Sequence, residues 1–213
     1  RLPSDGGVTV ETDMTDIGTG TYTIIAQTAA EMMGVELDDV TVKLGDSDFP
    51  ASAGSGAQWG AANSTAGVYA ACIKLRGQVA ARLGLNTADL KFAERKVRSG
   101  NRSVPLRDAA REGGLVAEDG IDYGDDFADR AQQSTFAGHF VEVGVDAFTG
   151  ETRIRRMLAV CDAGRILNPK SARSQVIGAM TMGAGAALME ELVVDKRFGF
   201  FVNHDLAGYE VPV

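Results

Sequence analysis

The chain has 213 residues, of which 45% are hydrophobic and 23% are charged, a composition typical of a globular protein with a hydrophobic core. Its formal net charge is −8, with 29 Asp and Glu against 21 Lys and Arg, which argues against a surface that binds nucleic-acid phosphates. No apolar run approaches the ~18 residues that suggest a membrane span, and the residues before the first motif lack the pattern of a signal peptide.

Two strands and a helix are predicted at the start of the chain. Gly7–Thr12 alternates β-branched residues as a strand does. A helix is predicted over Thr21–Met33 because its apolar residues recur at intervals of three and four, and Gly34 follows at the position of a C-terminal cap. Asp39–Leu44 then alternates as a second strand.

A polar, glycine-rich loop over residues 47–63 separates this second strand from a second helix. Ser64 is the predicted N-cap of that helix, which is predicted to end at Gly84. Residues 1–84 are therefore predicted to form a strand–helix–strand–helix unit.

Residues 85–137 are less regular and more charged, and they are predicted to form a connector without a functional site. Within them, Lys91–Arg98 is a candidate strand and Pro105 is a candidate start of a short helix. The aspartate-rich residues 119–129 are predicted to form a solvent-exposed loop.

Residues 138–213 are predicted to form a hairpin, a glycine-rich helix and an extended tail. His139–Asp146 and Thr152–Val160 alternate as two strands joined by a short turn. Asn168–Pro169 is suited to begin a helix that is predicted to run to Leu192. This helix contains Gly178, Gly183 and Gly185. Because interior glycines destabilise a helix, they predict the close approach of another backbone or of a ligand.

These elements predict an α+β fold with two layers, in which helices pack on one face of small mixed sheets. Cys72 and Cys161 lack the spacing of zinc or iron–sulfur ligands, and both are predicted to be buried free thiols. Neither His139 nor His204 has a partner at the spacing of a metal site or a catalytic triad, so we expect no metal ligands and no catalytic group in the chain.

Two glycine-containing segments, each placed before a predicted helix, are candidate sites for a phosphate or pyrophosphate. Backbone N–H groups and the helix dipole attract an anion at such positions. The candidate residues are Gly18, Thr19, Gly20 and Thr21 in the first segment and Ser55, Gly56, Ala57, Gln58 and Gly60 in the second. Ser174 and Gln175 are a third candidate, because an amide can hydrogen-bond the edge of a heterocycle. The alternatives are an ordinary turn, a surface loop and a surface glutamine.

Four motifs in order then give the chain a specific resemblance: D-I-G-T-G-T-Y-T-I-I-A-Q, A-G-S-G-A-Q-W-G-A-A-N-S-T-A-G-V-Y-A-A-C, C-D-A-G-R-I-L-N-P and S-Q-V-I-G-A-M-T-M-G-A-G-A-A-L-M-E-E-L. The chain resembles the second molybdenum-cofactor-binding half of the xanthine dehydrogenase/aldehyde oxidase family. Its loops are most similar to those of the molybdenum subunit of bacterial three-subunit aldehyde oxidoreductases.

The resemblance implies that residues 1–213 are a fragment of a molybdopterin-binding domain. The implied cofactor is a molybdenum-bound molybdopterin, in the cytosine dinucleotide form that bacterial members usually carry. By position, Gly18–Gly20, Ser55–Gly60 and Gln175 match residues that contact it. The implied partners are the rest of the same molybdenum subunit, iron–sulfur and FAD subunits, and a small-molecule substrate, in either the cytoplasm or the periplasm.

The implied activity is oxidation of aldehydes or N-heterocycles with water as the oxygen source. The family's catalytic glutamate follows the segment that corresponds to Tyr209–Val213, so the isolated chain is expected to be inactive. The chain departs from many relatives at Thr19 and at Met182, where they have glutamine. Two alternatives remain at this point: a non-catalytic scaffold or assembly protein that keeps the fold, and an unrelated phosphate-binding module.

Overall fold

The computed structural model describes residues 1–56, 59–121, 130, 134–210 and 212. The chain divides into two compact units, Arg1–Ala131 and Gln132–Val213. None of the helices in these described ranges combines the length and the hydropathy needed to cross a membrane.

The first unit begins with a parallel pair of strands joined by a helix. Strands β1 (Val8–Thr12) and β2 (Val40–Leu44) pair along their whole length. Helix α1 (Thr21–Met33) connects them and packs on both strands, and helix α2 (Trp59–Leu83) packs on α1. The order strand–helix–strand–helix and the bounds of α1 agree with the sequence-based prediction.

Both ends of α1 are formed by glycines in the left-handed conformation. Gly20 precedes the helix with φ 86°. Gly34 ends it with φ 64°, and its N–H donates to the carbonyl of Ala30, as a C-terminal cap does. The side chains that α1 buries are those of Thr21, Ile24, Ile25, Ala29, Ala30 and Met33.

Helix α2 begins at Trp59, so the predicted start at Ser64 is wrong. The Ser64 hydroxyl donates to the carbonyl of Gly60 at 2.6 Å, one turn earlier in the same helix. A serine hydroxyl can therefore be satisfied inside a helix as well as at its cap, and the residue type alone does not distinguish the two. Along α2 the apolar residues spaced three and four apart face the core: Val68, Cys72, Leu75 and Val79 are buried, and Ala71 is half-buried.

Residues 91–105 form an antiparallel sheet of three short strands, β3 (Lys91–Ala93), β4 (Lys96–Ser99) and β5 (Arg102–Pro105). The single strand predicted over Lys91–Arg98 is wrong, because the chain reverses after Ala93. Both residues of the reversing turn have positive φ, 54° for Glu94 and 59° for Arg95. Such turns usually carry Asn or Gly, so this turn lacks the usual sequence signal.

The segment predicted to be a connector also contributes to the core. The short helix predicted at Pro105 is a 3-10 turn, Leu106–Ala109. Val97, Leu106 and Ala109 are each 1% exposed or less and belong to the same buried cluster as α1 and α2. The three-stranded sheet is therefore part of the first unit's hydrophobic core.

The second unit contains a long antiparallel hairpin and a helix. Strands β6 (Phe136–Val145) and β7 (Thr152–Asp162) form the hairpin that the sequence predicts, with a register shift after Glu142. Helix α3 (Pro169–Leu188) follows, and β8 (Val194–Asp195) pairs with β9 (Phe200–Phe201). The small sheets and packed helices of the two units confirm the predicted α+β fold class.

Helix α3 begins as predicted, with Pro169 at its first position. The Asn168 side-chain oxygen accepts from the N–H of Lys170 at 3.0 Å and of Ser171 at 3.4 Å. The helix ends at Leu188, four residues before the predicted end. At Gly185 the nearest neighbours are side chains and not another backbone: an added Cβ would lie 3.1 Å from Pro212 Cδ and 3.2 Å from Glu190 Oε1. At Gly178 and Gly183 an added Cβ would meet no described atom within 4 Å.

The two cysteines are free and differ in burial. Cys72 is buried, as predicted, and burial raises the pKa of its thiol to about 11. Cys161 is exposed, so the prediction of a buried thiol is wrong at this position. It lies near the end of β7, a strand of a two-stranded hairpin with neighbouring apolar side chains that are also exposed.

Candidate functional site

The parallel pairing of β1 and β2 places the two candidate loops of the first unit at one edge. Thr12 and Leu44, the last residues of the two strands, are paired with each other. The loop after Thr12 leads to the start of α1, and the loop after Leu44 leads to the start of α2. Open parallel sheets bind ligands beyond the carboxyl ends of their strands, which is where both loops lie.

Hydrogen bonds join the two loops directly. The N–H of Asp13 donates to the Pro50 carbonyl at 3.0 Å, and the N–H of Ser52 donates to the Asp13 carboxylate at 2.7 Å. The Ser55 hydroxyl donates to the Thr15 carbonyl. Two of the three predicted segments are therefore brought together in the first unit.

The first loop turns through two glycines with positive φ, 96° at Gly18 and 86° at Gly20. Such angles strain other residues, so the glycines set the path of the chain into α1. The Thr21 side chain is 2% exposed, and its hydroxyl lies 3.4 Å from that of Thr19. The Thr21 side chain is therefore part of the buried core. The exposed part of this loop is the backbone around Gly18.

Asp16 is a feature of this loop that the sequence analysis did not identify. Its carboxylate accepts from the N–H of Gly18 at 2.7 Å and from the N–H of Tyr22 at 3.3 Å. Burial raises the pKa of Asp16, but the N–H groups of Gly18, Tyr22, Gly20 and Thr21 lower it more, so the net pKa lies below the ordinary value. The signal in the sequence was the Asp-x-Gly spacing, which is typical of an Asx turn.

The second loop has an open surface over its glycines. A Cβ added at Gly54, Gly56 or Gly60 would meet no described atom within 4 Å. Packing within the described residues therefore does not require glycine at Gly56 or Gly60. Because glycine has no side chain, a ligand could approach the backbone more closely at these two positions than at other residues. This backbone fits a large polar group bound through N–H donors. Ala57 and Gln58, also predicted to bind, lie outside the described residues.

Ser174 and Gln175 lie in the first two turns of α3, in the second unit, and both side chains are exposed. No described residue accepts or donates a hydrogen bond with the Gln175 side chain among the bonds found in these ranges, so its amide is accessible to a ligand. The third predicted segment thus belongs to a different unit from the two glycine loops.

A cavity beside the second loop has three acidic residues among those that line it. This cavity of about 270 Å³ is bounded by Pro50 and Ser52 from the loop, and by Glu11, Glu118 and Asp119. Two of these carboxylates are paired with cations, Glu11 with Arg1 and Lys43, and Asp119 with Lys74 at 3.8 Å. Within the described ranges, no three His, Cys, Asp or Glu side chains are grouped so that they could hold a metal ion.

Comparison with known proteins defines the class to which this chain belongs. The family model described as a molybdopterin cofactor-binding domain matches residues 1–213, and the chain is a member of this family. The match confirms the resemblance to the xanthine dehydrogenase/aldehyde oxidase family that the four motifs indicate.

The similar proteins include a subunit of an aldehyde oxidoreductase and a probable hypoxanthine oxidase. The aldehyde oxidoreductase molybdenum-binding subunit PaoC of Escherichia coli (strain K12) is 66% identical over 100% of this chain and 29% of its own length. The probable hypoxanthine oxidase XdhD of the same strain is 31% identical over 100% of this chain and 23% of its own length. The chain thus spans less than a third of these relatives.

Solved structures share the fold. The crystal structure of quinoline 2-oxidoreductase from Pseudomonas putida 86 matches with a TM-score of 0.84 and 25% identity, over 100% of this chain and 29% of that chain. Reconstituted CO dehydrogenase from Oligotropha carboxidovorans matches with a TM-score of 0.83 and 21% identity, over 100% of this chain and 28% of that chain.

Proposed function

We propose that this chain forms part of the cofactor site of a molybdenum hydroxylase that oxidises aldehydes or N-heterocycles with water as the oxygen source. The observation that supports it most directly is the pair of hydrogen-bonded glycine loops at the carboxyl edge of β1 and β2, in a chain that belongs to a molybdopterin-binding family. The 66% identity to an aldehyde oxidoreductase subunit favours aldehydes as the substrate class.

The cofactor we propose is molybdopterin cytosine dinucleotide with bound molybdenum. When bound, this group supplies the redox chemistry, and the chain supplies hydrogen bonds that hold and orient it. Backbone N–H groups of the two loops suit its phosphate and pterin oxygens, and the exposed Gln175 amide suits a heterocycle edge. The proposed contacts are Gly18, Thr19, Gly20, Thr21, Ser55, Gly56, Ala57, Gln58, Gly60, Ser174 and Gln175.

We also propose that these 213 residues bind the cofactor without completing the catalytic site. The relatives are more than three times as long as the matched segment, which is consistent with substrate-binding and catalytic residues elsewhere in the subunit. Iron–sulfur and FAD subunits are the proposed electron acceptors. Aldehyde oxidation by the 213-residue chain alone, measured with a dye as the electron acceptor, would contradict the proposal that the catalytic site is incomplete in this chain.

The proposed function predicts that the intact subunit, co-produced with its partners in a host that makes molybdenum cofactor, contains about one molybdenum atom per chain. We expect acid treatment to release CMP, because a cytosine dinucleotide contains that nucleotide. Metal analysis and chromatography of the released nucleotide measure both. A folded protein with neither molybdenum nor nucleotide would favour the scaffold alternative, and a bound nucleotide without molybdenum would favour an unrelated phosphate-binding module.

Replacing Gly60 by alanine tests the open backbone of the second loop. Gly60 lies in α2, and an added Cβ meets no described atom, so we expect the helix to gain up to about 1 kcal/mol in the free energy of unfolding. If the cofactor lies against this backbone, the same methyl group should lower molybdenum content roughly fivefold. The experiment measures thermal stability and molybdenum content on the same preparation.

Gly77→Ala is the matched control, because Gly77 lies in the same helix and is equally open to an added Cβ. We expect Gly77→Ala to raise thermal stability and to leave molybdenum content unchanged. Equal molybdenum content in the Gly60→Ala protein and the wild type would remove Gly60 from the proposed contacts.

A further inference from the structure

Strand β1 has a second edge, opposite to the edge that pairs with β2, and Arg1 pairs with it. The Arg1 backbone nitrogen donates to the Thr9 carbonyl at 2.7 Å, and the Thr9 N–H donates to the Arg1 carbonyl at 3.0 Å. Two such bonds between the same two residues are typical of a hydrogen-bonded pair in antiparallel strands. The backbone at Arg1 therefore runs antiparallel to β1.

The other side of the same backbone pairs with a distant part of the first unit. The Leu2 N–H donates to the Leu115 carbonyl at 2.8 Å, and the Leu115 N–H donates to the Leu2 carbonyl at 2.9 Å. This bridge is also antiparallel. A strand that continues at this position would therefore have a partner on each side, β1 on one and the segment of Leu115 on the other.

A groove extends along β1 from Arg1. It contains two cavities, of about 270 and about 90 Å³, and both are lined by Val10 and Glu11 of β1 and by Ala117 and Glu118 of the segment after Leu115. The residues of α2 that line the smaller cavity are Val68, Ala71, Cys72 and Leu75. The groove thus has a backbone along each side and apolar side chains of α2 beneath it.

The far end of the groove is closed by the second glycine loop. Pro50 lines both cavities, and its carbonyl accepts from the Asp13 N–H at 3.0 Å. The loop therefore takes the place beside β1 directly after the groove. In an antiparallel pair that starts with Arg1 and Thr9, only the positions opposite Val10 and Glu11 lie before it, which leaves room for two residues.

The alternation of side chains specifies which of these two residues faces the core. Leu2 is 0% exposed and lies opposite Val8, which is 3% exposed, whereas the Arg1 side chain points to the other face and donates from Nε to the Glu11 carboxylate. Successive side chains of a strand point to opposite faces. The residue opposite Val10 would therefore face α2, and the residue opposite Glu11 would face away from it.

We propose that the two residues that precede Arg1 in the intact subunit fill this groove as a strand and make β1 an inner strand of a larger sheet. The residue immediately before Arg1 is apolar and covers Cys72, because it faces α2. This inference rests on one part of the proposed function, namely that the chain is a segment of a longer subunit. The relatives, which are more than three times as long as the matched segment, are consistent with that.

Cysteine cross-linking in the intact subunit, produced with its partners, tests the proposed strand. Val10 and the residue immediately before Arg1 would form a non-hydrogen-bonded antiparallel pair, with Cα atoms about 4.5 Å apart, a separation that a disulfide can bridge. We expect Val10→Cys, combined with cysteine immediately before Arg1, to form this disulfide in most molecules after mild oxidation. Mass spectrometry of the peptides identifies the bond and distinguishes it from one to Cys72.

The matched control combines Val10→Cys with cysteine at the second residue before Arg1. That side chain would point to the opposite face, so we expect no disulfide. Ala117→Cys tests the other side of the groove, because Ala117 would lie about 5.5 Å from the residue immediately before Arg1 in a hydrogen-bonded pair. This second pair serves if the Val10 variant does not fold.

Absence of the disulfide at both Val10 and Ala117 would overturn the proposal, and so would equal cross-linking in the control. Alkylation of the single variant Val10→Cys with a maleimide then shows what is present instead: rapid reaction indicates an open groove, and slow reaction indicates another segment or a partner protein. Cross-linking does not require the cofactor. A subunit that cross-links without molybdenum or CMP would contradict only the cofactor part of the proposed function, and one that contains both without cross-linking would contradict only the strand.

Discussion

Replacing Gly34 by alanine is expected to lower the free energy of unfolding of the protein by roughly 3 kcal/mol. Gly34 has φ 64°, a conformation that costs other residues energy. An added Cβ would also lie 2.2 Å from the Phe92 carbonyl carbon and 2.4 Å from the Ala93 nitrogen. These are backbone atoms of β3, so the clash is relieved only if β3 moves away from the end of α1.

The position of β3 is fixed by further bonds, which is why we expect so large an effect. The N–H of Arg95 donates to the Gly34 carbonyl at 2.8 Å, and the Arg95 side chain pairs with Asp39 at 3.2 Å. Movement of β3 would break the first of these contacts. Urea denaturation followed by circular dichroism measures the loss.

Gly84→Ala separates the clash from the backbone strain. Gly84 has nearly the same φ, 59°, directly after α2, but an added Cβ there meets no described atom within 4 Å. We expect the free energy of unfolding of this variant to be only about 1 kcal/mol lower than that of the wild type. Equal losses in the Gly34 and Gly84 variants would show that strain alone acts at Gly34 and that β3 yields easily.

Replacing Ile25 by alanine is the second change with a large expected effect. Ile25 is 0% exposed and lies in the middle of α1, within the cluster that also contains Val8 and Val79. Truncation removes buried methyl and methylene groups and leaves a cavity, so we expect a loss of about 3 kcal/mol in the free energy of unfolding. Urea denaturation again provides the measurement, with an unchanged slope if the unfolding remains two-state.

Ile73→Ala is the corresponding control on α2. Ile73 is 49% exposed, so its truncation removes little buried surface and substitutes a residue that favours helices. We expect its stability to stay within about 0.5 kcal/mol of the wild type. A loss at Ile73 as large as that at Ile25 would contradict the buried cluster as the source of stability.

Local sequence patterns predicted the elements whose ends are marked by characteristic residues. Helix α1 has glycine at both ends, and α3 begins with Asn168 and Pro169. In each case one or two residues define the boundary through backbone geometry or a capping bond. The hairpin of β6 and β7 was also predictable, because Val141, Val143 and Val145 alternate with other residues and a short turn at Gly150 separates this run from the next one.

The elements that were predicted wrongly depend on contacts that a local pattern does not encode. Ser64 has the residue type of a cap but bonds to Gly60 within the helix. The turn at Glu94 and Arg95 contains neither glycine nor asparagine. It is supported instead by the bond from Arg95 to the carbonyl of Gly34, a residue 61 positions earlier in the chain.

In the candidate site, too, local sequence predicts some features, and contacts between distant residues determine the others. Glycine spacing identified both loops of the first unit, but their contact depends on the bonds of Asp13 with Ser52 and of Thr15 with Ser55, which join residues about forty positions apart. Asp16 was missed because an aspartate before a glycine is common in turns. Its significance depends on the second bond, to Tyr22, which only the start of α1 brings within reach.

The hydrogen bonds between the two loops also affect how much conformational entropy the loops lose when a ligand binds. Asp13 and Thr15 hold the loop of Ser52 and Ser55, so immobilising either loop restricts the other. A ligand that contacts both loops therefore has to order one connected segment and not two independent ones. The loss of conformational entropy is smaller than it would be for two separate loops. In such an arrangement the first half of a long ligand to dock makes the second half bind more tightly, without any change in the contacts themselves.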